Sequence, residues 1–505
     1  KDPLPKVAGI RCRFSSVYDA LNSRKSRQTP RILLYTGREE TWKAMTDSQA
    51  CELQCEAAGV PSLPRELVDH ICTFMDRDVL ATCSLLSSYW LFSARPQLFN
   101  SVTIIHKGVD EPCNTVAFLQ LLDCPEYSSV SRHIRTLVIR GGGVGRPGQR
   151  GALSYKVGIT ATDIQHLLSR LPALHTLHLV YMTLDSTPAE SFAVCPPRAL
   201  KELKLISIGF QLPPLYKYWS PDGWASEQEI LRDDISCSLV DFFNLFSRVE
   251  ALYLRKVFTV WYASSGDNVD LFIPMMKAAA RHLSADFGLG KVVFDRCSGL
   301  ATDPIGGTCP QVCATVELLA CLSAIDVLHT LDLKDSTPLT TKPLLVGSAQ
   351  SLRSLHLTIS PQFVMEETLG QYDVAKFRRL TELQITLSSV VRERYASPLH
   401  DDLTVPQWNA AFEIMRQCPA TISSLTLEIG PGYDYHLPMA TAGLDWGAVD
   451  TFFSREFTDL SRFLLVFRVS RSAEEMHGFE EAASRVRECL PLTHRRNLLE
   501  FQLRQ

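Results

Sequence analysis

At 505 residues the chain exceeds what one compact core serves, so its length points to about three domains or one elongated repeat array. Hydrophobic residues at 46% and charged residues at 21% exclude the low-hydrophobicity, high-charge class of disordered chains. With 51 basic against 55 acidic residues and a net charge of -4, the sequence lacks the electrostatic footprint of a nucleic-acid or anionic-membrane partner.

The 15 cysteines are scattered from Cys12 to Cys489, mostly inside apolar segments such as those around Cys72, Cys83 and Cys321. They read as reduced core thiols of a cytoplasmic or nuclear protein and not as a disulfide framework. No run approaches the roughly 18 apolar residues that span a bilayer, and the first residues carry no signal-like apolar stretch. The chain begins at Lys1, so it reads as a fragment or processed form with room for a leader upstream.

Residues 1–60 form a poorly patterned tail. Its basic run "NSRKSRQTPR" reads as a solvated segment more readily than as a nuclear localisation signal, and "EETWKAMTDSQACELQCEAAG" has helix-forming composition.

Residues 61–100 carry three short helical patterns with tight breaks. Pro64 suits an opening turn and Glu66 suits the positive end of the first helix dipole. Leu63, Leu67, Ile71 and Phe74 recur as one apolar stripe that must pack on something. Asp78 is the expected cap of a second helix through Leu80 and Cys83. A third carries Leu85, Leu86, Tyr89, Trp90 and Phe92, with Pro96 as its expected stop. So small a unit buries little alone and leans on a neighbour or a partner.

The order Leu63, Pro64, Glu66, Ile71, Cys83, Ser84, Leu85, Trp90, Leu98 and Phe99 resembles the F-box family. The tail "SARPQLFNSVTI" is similar to F-box proteins of mushroom-forming fungi, while "SSY" before Trp90 departs from the family's usual apolar-basic pair. The resemblance covers about 40 residues. It implies a three-helix domain that docks a Skp-family adaptor and, through it, a cullin, with Leu63, Pro64, Leu67, Ile71, Leu80, Leu85, Trp90 and Leu98 either touching the adaptor or holding the contacting helices.

Behind this segment the pattern apolar-x-x-apolar-x-apolar occurs ten times, beginning at Ile134, Leu174, Leu200, Val249, Leu289, Leu328, Leu352, Leu380, Ile422 and Leu464. Each instance reads as a short strand, and several follow an apolar helical pattern, so the unit is helix, turn, strand. That is leucine-rich-repeat logic, but the starts advance by 24 to 49 residues, about 37 on average, against roughly 20–29 in regular repeats. The closing Asn or Cys is mostly missing, with Cys297 the one clear match.

The expected fold is therefore α/β: a small all-α F-box at 61–100, then over 101–505 an irregular leucine-rich-repeat solenoid with parallel strands on its concave face and helices on its convex face. An α/β fold of different strand order is the alternative. Loops are expected at 181–198, 210–236, 300–312, 336–348 and 430–446.

In a solenoid Leu177 and Leu179 point inward while Thr176, His178 and Val180 lie on the concave sheet. The same alternation exposes Glu202, Lys204, Tyr253, Arg255, Asp332, Lys334, His356, Thr358, Gln384, Glu428 and Arg468. Of these, His178, Lys204, Tyr253, Arg255, Lys334, His356 and Arg468 are the candidate contacts for a protein target.

"GVGRPG" (Gly143, Gly145, Gly148) fits a dinucleotide fingerprint, but Pro147 sits inside it and no helix pattern opens on the last glycine, so it reads as a loop. The pairs Cys51 with Cys55 and Cys309 with Cys313 lack the further ligands zinc needs. No nucleophile elbow, zinc helix or P-loop is present, and a Ser-His-Asp triad assembled in space has no sequence signal.

The reading is a non-catalytic, cofactor-free substrate-recruiting subunit of a cullin-RING ubiquitin ligase, cytoplasmic or nuclear, with neither nucleic-acid nor membrane partner. The alternatives are a leucine-rich-repeat scaffold without a ligase link and an α/β hydrolase or transferase with its site in the long loops.

Overall fold

The computed structural model describes residues 11–12, 34–35, 63–106, 114–124, 129–141, 157–186, 196–213, 215–220, 223–259, 271–295, 310–321, 327–334, 338–359, 373–387, 404–429, 445–468 and 483–504. It divides into two compact units, Lys1–Pro196 and Pro197–Gln505. The helix-forming stretch of the tail, the glycine motif, Cys51, Cys55, Cys297 and Cys309 lie outside the described residues.

In the first unit β1 (Arg11–Cys12) pairs antiparallel with β2 (Leu34–Tyr35). Three helices follow: α1 (Arg65–Phe74), α2 (Arg77–Cys83) and α3 (Ser88–Leu98). Pro64 is the residue before α1, and its carbonyl accepts from Leu67 N at 3.0 Å and Val68 N at 3.2 Å. Asp76, not Asp78, holds the cap position of α2; Asp78 lies in the first turn, where a carboxylate still opposes the helix dipole. Ser87 caps α3, its Oγ accepting from Trp90 N at 3.4 Å.

α3 also runs past the expected stop at Pro96 to Leu98. A proline this near the end forgoes only its own N–H bond, and Phe99 N still donates to Arg95 O at 3.0 Å.

Arg77 ties the helices to the next strand by donating to Leu98 O at 2.9 Å and Ser101 O at 3.2 Å. That strand, β3 (Ser101–Ile105), pairs parallel with β4 (Thr136–Arg140). A short strand, β5 (Gly158–Thr160), precedes helix Ala161–Arg170, and both β4 and β5 pair parallel with β6 (Thr176–Asp185). Thr160 and Asp163 close a capping box at the head of that helix.

The second unit opens with β7 (Arg198–Phe210) and the small hairpin β8 (Trp219–Ser220) and β9 (Gly223–Trp224), where Gly223 takes φ 125. Eight more strands complete its described sheet: β10 (Phe246–Thr259), β11 (Gly288–Asp295), β12 (Thr330–Lys334), β13 (Ser354–Ile359), β14 (Glu382–Leu387), β15 (Ser424–Ile429), β16 (Arg462–Arg468) and β17 (Leu499–Arg504). After the hairpin, every strand pairs parallel with its predecessor in sequence order, β10 joining directly to β7.

Strict sequential order with a helix in most connections is the α/β solenoid arrangement, and it excludes the alternative strand order for this unit. Helix Phe272–Ala279 packs on Pro310–Ala320, which packs on Pro338–Ser348, so helices stack alongside as the strands do.

The ladder shows why this sequence selects the arrangement. Leu352, Leu355 and Leu357 are fully buried, and ladder pairing sets Leu355 beside Leu331 on one side and Leu383 on the other. A second regularity runs beneath the leucines. Arg353 N and Ser354 N both donate to His329 O, Thr381 N and Glu382 N to Arg353 O, and Ser423 N and Ser424 N to Thr381 O. Each of these three repeats thus enters its strand through a shared carbonyl, which helps lock the register where one face is buried.

Several expectations need correction. Residues 181–185 of the loop expected over 181–198 belong to β6, and residues 310–312 of the loop expected over 300–312 open helix Pro310–Ala320. The tenth repeat starts at Leu460, not Leu464: Leu425 pairs with Phe463 and Leu427 with Leu465, while Leu464 faces away from the helix side of the frame. The run "FLLVFRV" is apolar nearly throughout, so spacing alone left its frame ambiguous. The stretch 336–348 is mainly the helix Pro338–Ser348, stabilised by burial of Thr341, Leu344, Leu345 and Ser348 despite Pro343. The loop expected over 210–236 contains the β8–β9 hairpin and helix Glu227–Arg232.

Two further copies complete the register. Phe99, Val102 and Ile104 precede the first expected instance, because Val102 pairs with Leu137 and Ile104 with Ile139. After the last, Phe463 pairs with Leu499 and Leu465 with Phe501, which puts Arg496 at the first position. Its guanidinium reaches the carbonyls of Phe453, Ser454, Phe457 and Thr458, capping the end of helix Trp446–Arg455 where an apolar side chain would have packed.

Candidate docking surfaces

The three-helix module has a small core of Val68, Cys72, Leu80 and Ala94, against which Met75, Trp90 and Leu98 pack. Burial pushes the Cys72 thiol up from its ordinary value, with Cys83 and Asp69 nearby adding to the effect, so it packs as a small apolar group. This core sorts the residues that the sequence left together. Leu80 is buried, and Trp90 and Leu98 hold the helices to one another. Leu63, Pro64, Leu67 and Leu85 point outward, and Ile71 is half-buried.

The stripe Leu63, Leu67, Ile71 and Phe74 is therefore not the inner face of α1; Val68 and Cys72 are. Leu67 is 49% exposed and Phe74 77%. Leu85, at 77%, and Leu86, at 67%, in the turn between α2 and α3, and Phe92 on α3 are exposed as well. Tyr89 Oη donates to Leu63 O at 2.5 Å, fixing the segment that enters α1, and the His70 ring meets Phe74 edge-on at 4.9 Å. Phe74, Leu86 and Phe92 were legible as apolar, but spacing alone did not show that they face outward.

The second surface is the face of the second unit's sheet opposite the buried leucines. Lys204 lies 2.8 Å from Glu202 and 4.9 Å from the Tyr253 ring, and Arg255 lies 3.5 Å from Asp295. Arg462 meets Glu500 at 2.8 Å. Between these flanks runs a denser hydrogen-bonded array. His356 Nδ1 lies 2.9 Å from Asp332 Oδ1, and its Nε2 lies 2.8 Å from Thr386 Oγ1. Gln384 donates to Glu428 at 2.8 Å, and Arg468 pairs with Glu428 from the next strand.

Asp332, Thr358 and Glu428, expected to be exposed, are buried, with Glu428 at 0%. Cross-strand partners make that burial tolerable: His356 pairs with Asp332, Arg468 pairs with Glu428 and Gln384 donates a hydrogen bond to Glu428. Among the other expected contacts, Lys204, Tyr253, Arg255 and His356 share this face half-buried, and Arg468 lies at the ninth frame position, not the fifth, and is exposed. Lys334 ends β12, with only its backbone described. His178 lies half-buried on β6 of the first unit, between the buried Leu177 and Leu179.

Burial holds the Cys237 and Cys418 thiols up at about 12, so neither is poised as a nucleophile. Among the described residues no group of His, Cys, Asp and Glu is arranged to hold a metal ion, and no helix is long and apolar enough to cross a membrane.

No protein-family model matches the sequence, and no curated protein matches it. Among solved structures the chain is similar to the leucine-rich repeat-containing protein LegL7 from Legionella pneumophila, at 10% identity and a TM-score of 0.34, over 80% of this chain and 90% of that one. The solenoid assignment stands on strand order and ladder register, independently of that likeness.

Proposed function

We propose that α1–α3 dock a Skp-family adaptor and that the sheet face of the second unit opposite the buried leucines holds a protein target, making the chain a substrate-recruiting F-box subunit of a cullin-RING ubiquitin ligase. One observation carries the reading: a module whose core is four buried side chains leaves Leu67, Phe74, Leu85, Leu86 and Phe92 exposed. Isolated exposed apolar residues are ordinary, but such a concentration on so small a module favours a protein partner. The order of residues from Leu63 and Pro64 to Leu98 and Phe99 supplies the identity of that partner through its resemblance to the F-box family.

Ubiquitin chemistry then belongs to the partners, and this chain contributes proximity, converting an encounter between two proteins into a reaction within one complex. Cytoplasmic or nuclear placement belongs to the same reading.

Co-expression of the chain with a Skp-family adaptor, followed by size-exclusion chromatography, tests it. Co-elution at equal stoichiometry that is lost on deleting residues 61–100 is the expected result. Separate elution of two folded proteins would leave a repeat scaffold without a ligase link.

A further inference from the structure

We propose that Asp332, His356 and Thr386 form an ester-cleaving site on the sheet face opposite the buried leucines, with Thr386 as nucleophile. The three residues come from successive strands β12, β13 and β14. Asp332 sits directly across the ladder from His356 with Oδ1 2.9 Å from Nδ1, and a carboxylate oxygen that close favours the tautomer with the proton on Nδ1. Nε2 then presents its lone pair to the Thr386 hydroxyl at 2.8 Å, which is the geometry of a general base on a nucleophile. His356 faces Gln384 across the ladder yet bonds Thr386, two residues further along, so the contact is a diagonal reach between strands.

Two donors flank the nucleophile. Thr358 is the ladder partner of Thr386, and Gln384 lies two residues before it on the same face. The Gln384 amide gives one N–H to Glu428 and keeps a second. These are the groups available to an oxyanion, since the strand's own amides are committed to the ladder. Glu428 lies directly across from Thr386 with its charge compensated by Arg468, which leaves no free cation among the described residues to hold an anionic acyl group and makes an uncharged carboxylic ester the substrate class.

In the reaction Thr386 Oγ1 attacks the ester carbonyl carbon and its proton passes to His356 Nε2. The tetrahedral oxyanion accepts from Thr358 and Gln384. Collapse breaks the bond to the leaving oxygen, which takes the proton from His356 and departs as an alcohol. Water, deprotonated by His356, then cleaves the acyl-threonine to the carboxylic acid and restores the hydroxyl.

The site lies in the second unit and is independent of adaptor docking, so either proposal can fail alone. The test uses the full chain with p-nitrophenyl acetate as probe. The expected result is turnover that falls at least about 100-fold in Thr386→Val and in His356→Gln, falls less in Asp332→Asn and survives in Thr386→Ser. Unchanged turnover in a folded Thr386→Val variant, or no turnover above buffer, overturns the proposal. If Thr386→Val does not fold, mass spectrometry of the acylated native chain decides: an acetyl group on the Thr386 peptide supports the site, and acetylation confined to surface lysines refutes it.

Discussion

Replacing Leu67 and Phe74 together by Asp separates docking from folding, because both residues lie on the outer side of α1. In the free chain they are 49% and 77% exposed, so the double variant should unfold within about 1 kcal/mol of the native protein. In the docked state the arithmetic differs. Fully burying a Leu or Phe side chain is worth about 1.5–3 kcal/mol, and the exposed fractions leave roughly half of that at Leu67 and three quarters at Phe74 for a partner to cover. The two sum to about 2–4 kcal/mol, and two unpaired carboxylates pressed into an apolar contact add to the loss. Adaptor affinity should therefore drop at least about 100-fold, at roughly 1.4 kcal/mol per tenfold. Isothermal titration of the adaptor into each chain measures this, with a thermal melt as control. Val68→Asp on the inner side of the same helix should instead unfold the module, since Val68 is wholly buried. A double variant that melts normally and binds within threefold of the native chain would refute the assignment of this face.

Leu355→Ala should cost about 2–5 kcal/mol in denaturant unfolding of the second unit, because the side chain is fully buried between Leu331 and Leu383; a loss under 1 kcal/mol would contradict the register. Asp450→Ala removes the acceptor of Leu492 N at 2.7 Å, Thr493 N at 2.8 Å and Thr493 Oγ1 at 2.6 Å, and should cost about 1–3 kcal/mol, seen as earlier hydrogen exchange at the head of helix Pro491–Arg495. Burial pushes the Asp185 carboxyl above its ordinary 3.8, so in the window between that value and the higher folded one the unfolded chain holds fewer protons, and stability falls as pH rises. Asp185→Asn should then raise the melting temperature at pH 7 and lose its advantage near pH 3; equal shifts at both pH values would contradict the burial argument. Gly141→Ala should destabilise the first unit, since a Cβ there would meet Tyr181 O at 1.9 Å.

The parallel sheet was legible because the leucine pattern repeats one frame from Ile134 to Ile422, and a period of two within each strand leaves a single burial solution. It failed where composition hid the frame. Around Leu464 every residue is apolar, and at Arg496 a cation occupies the first position by spending its hydrogen bonds on a neighbouring helix end. The direction of the α1 stripe was not legible, since periodicity finds an apolar line but says nothing of whether this chain or another covers it. Asp332, His356, Thr358, Gln384, Glu428 and Arg468 were all expected on one sheet face, but the contacts between them were not legible. They are brought together only by strand stacking, each contacting pair lying a repeat apart, and local spacing carries no trace of a cross-strand contact.

Hydrogen–deuterium exchange of the full chain, with and without a Skp-family adaptor, tests the central claim most directly. Exchange should slow across residues 63–99 and stay unchanged in strands β10–β16; an unchanged pattern over α1–α3, or protection confined to the second unit's sheet, would contradict adaptor docking.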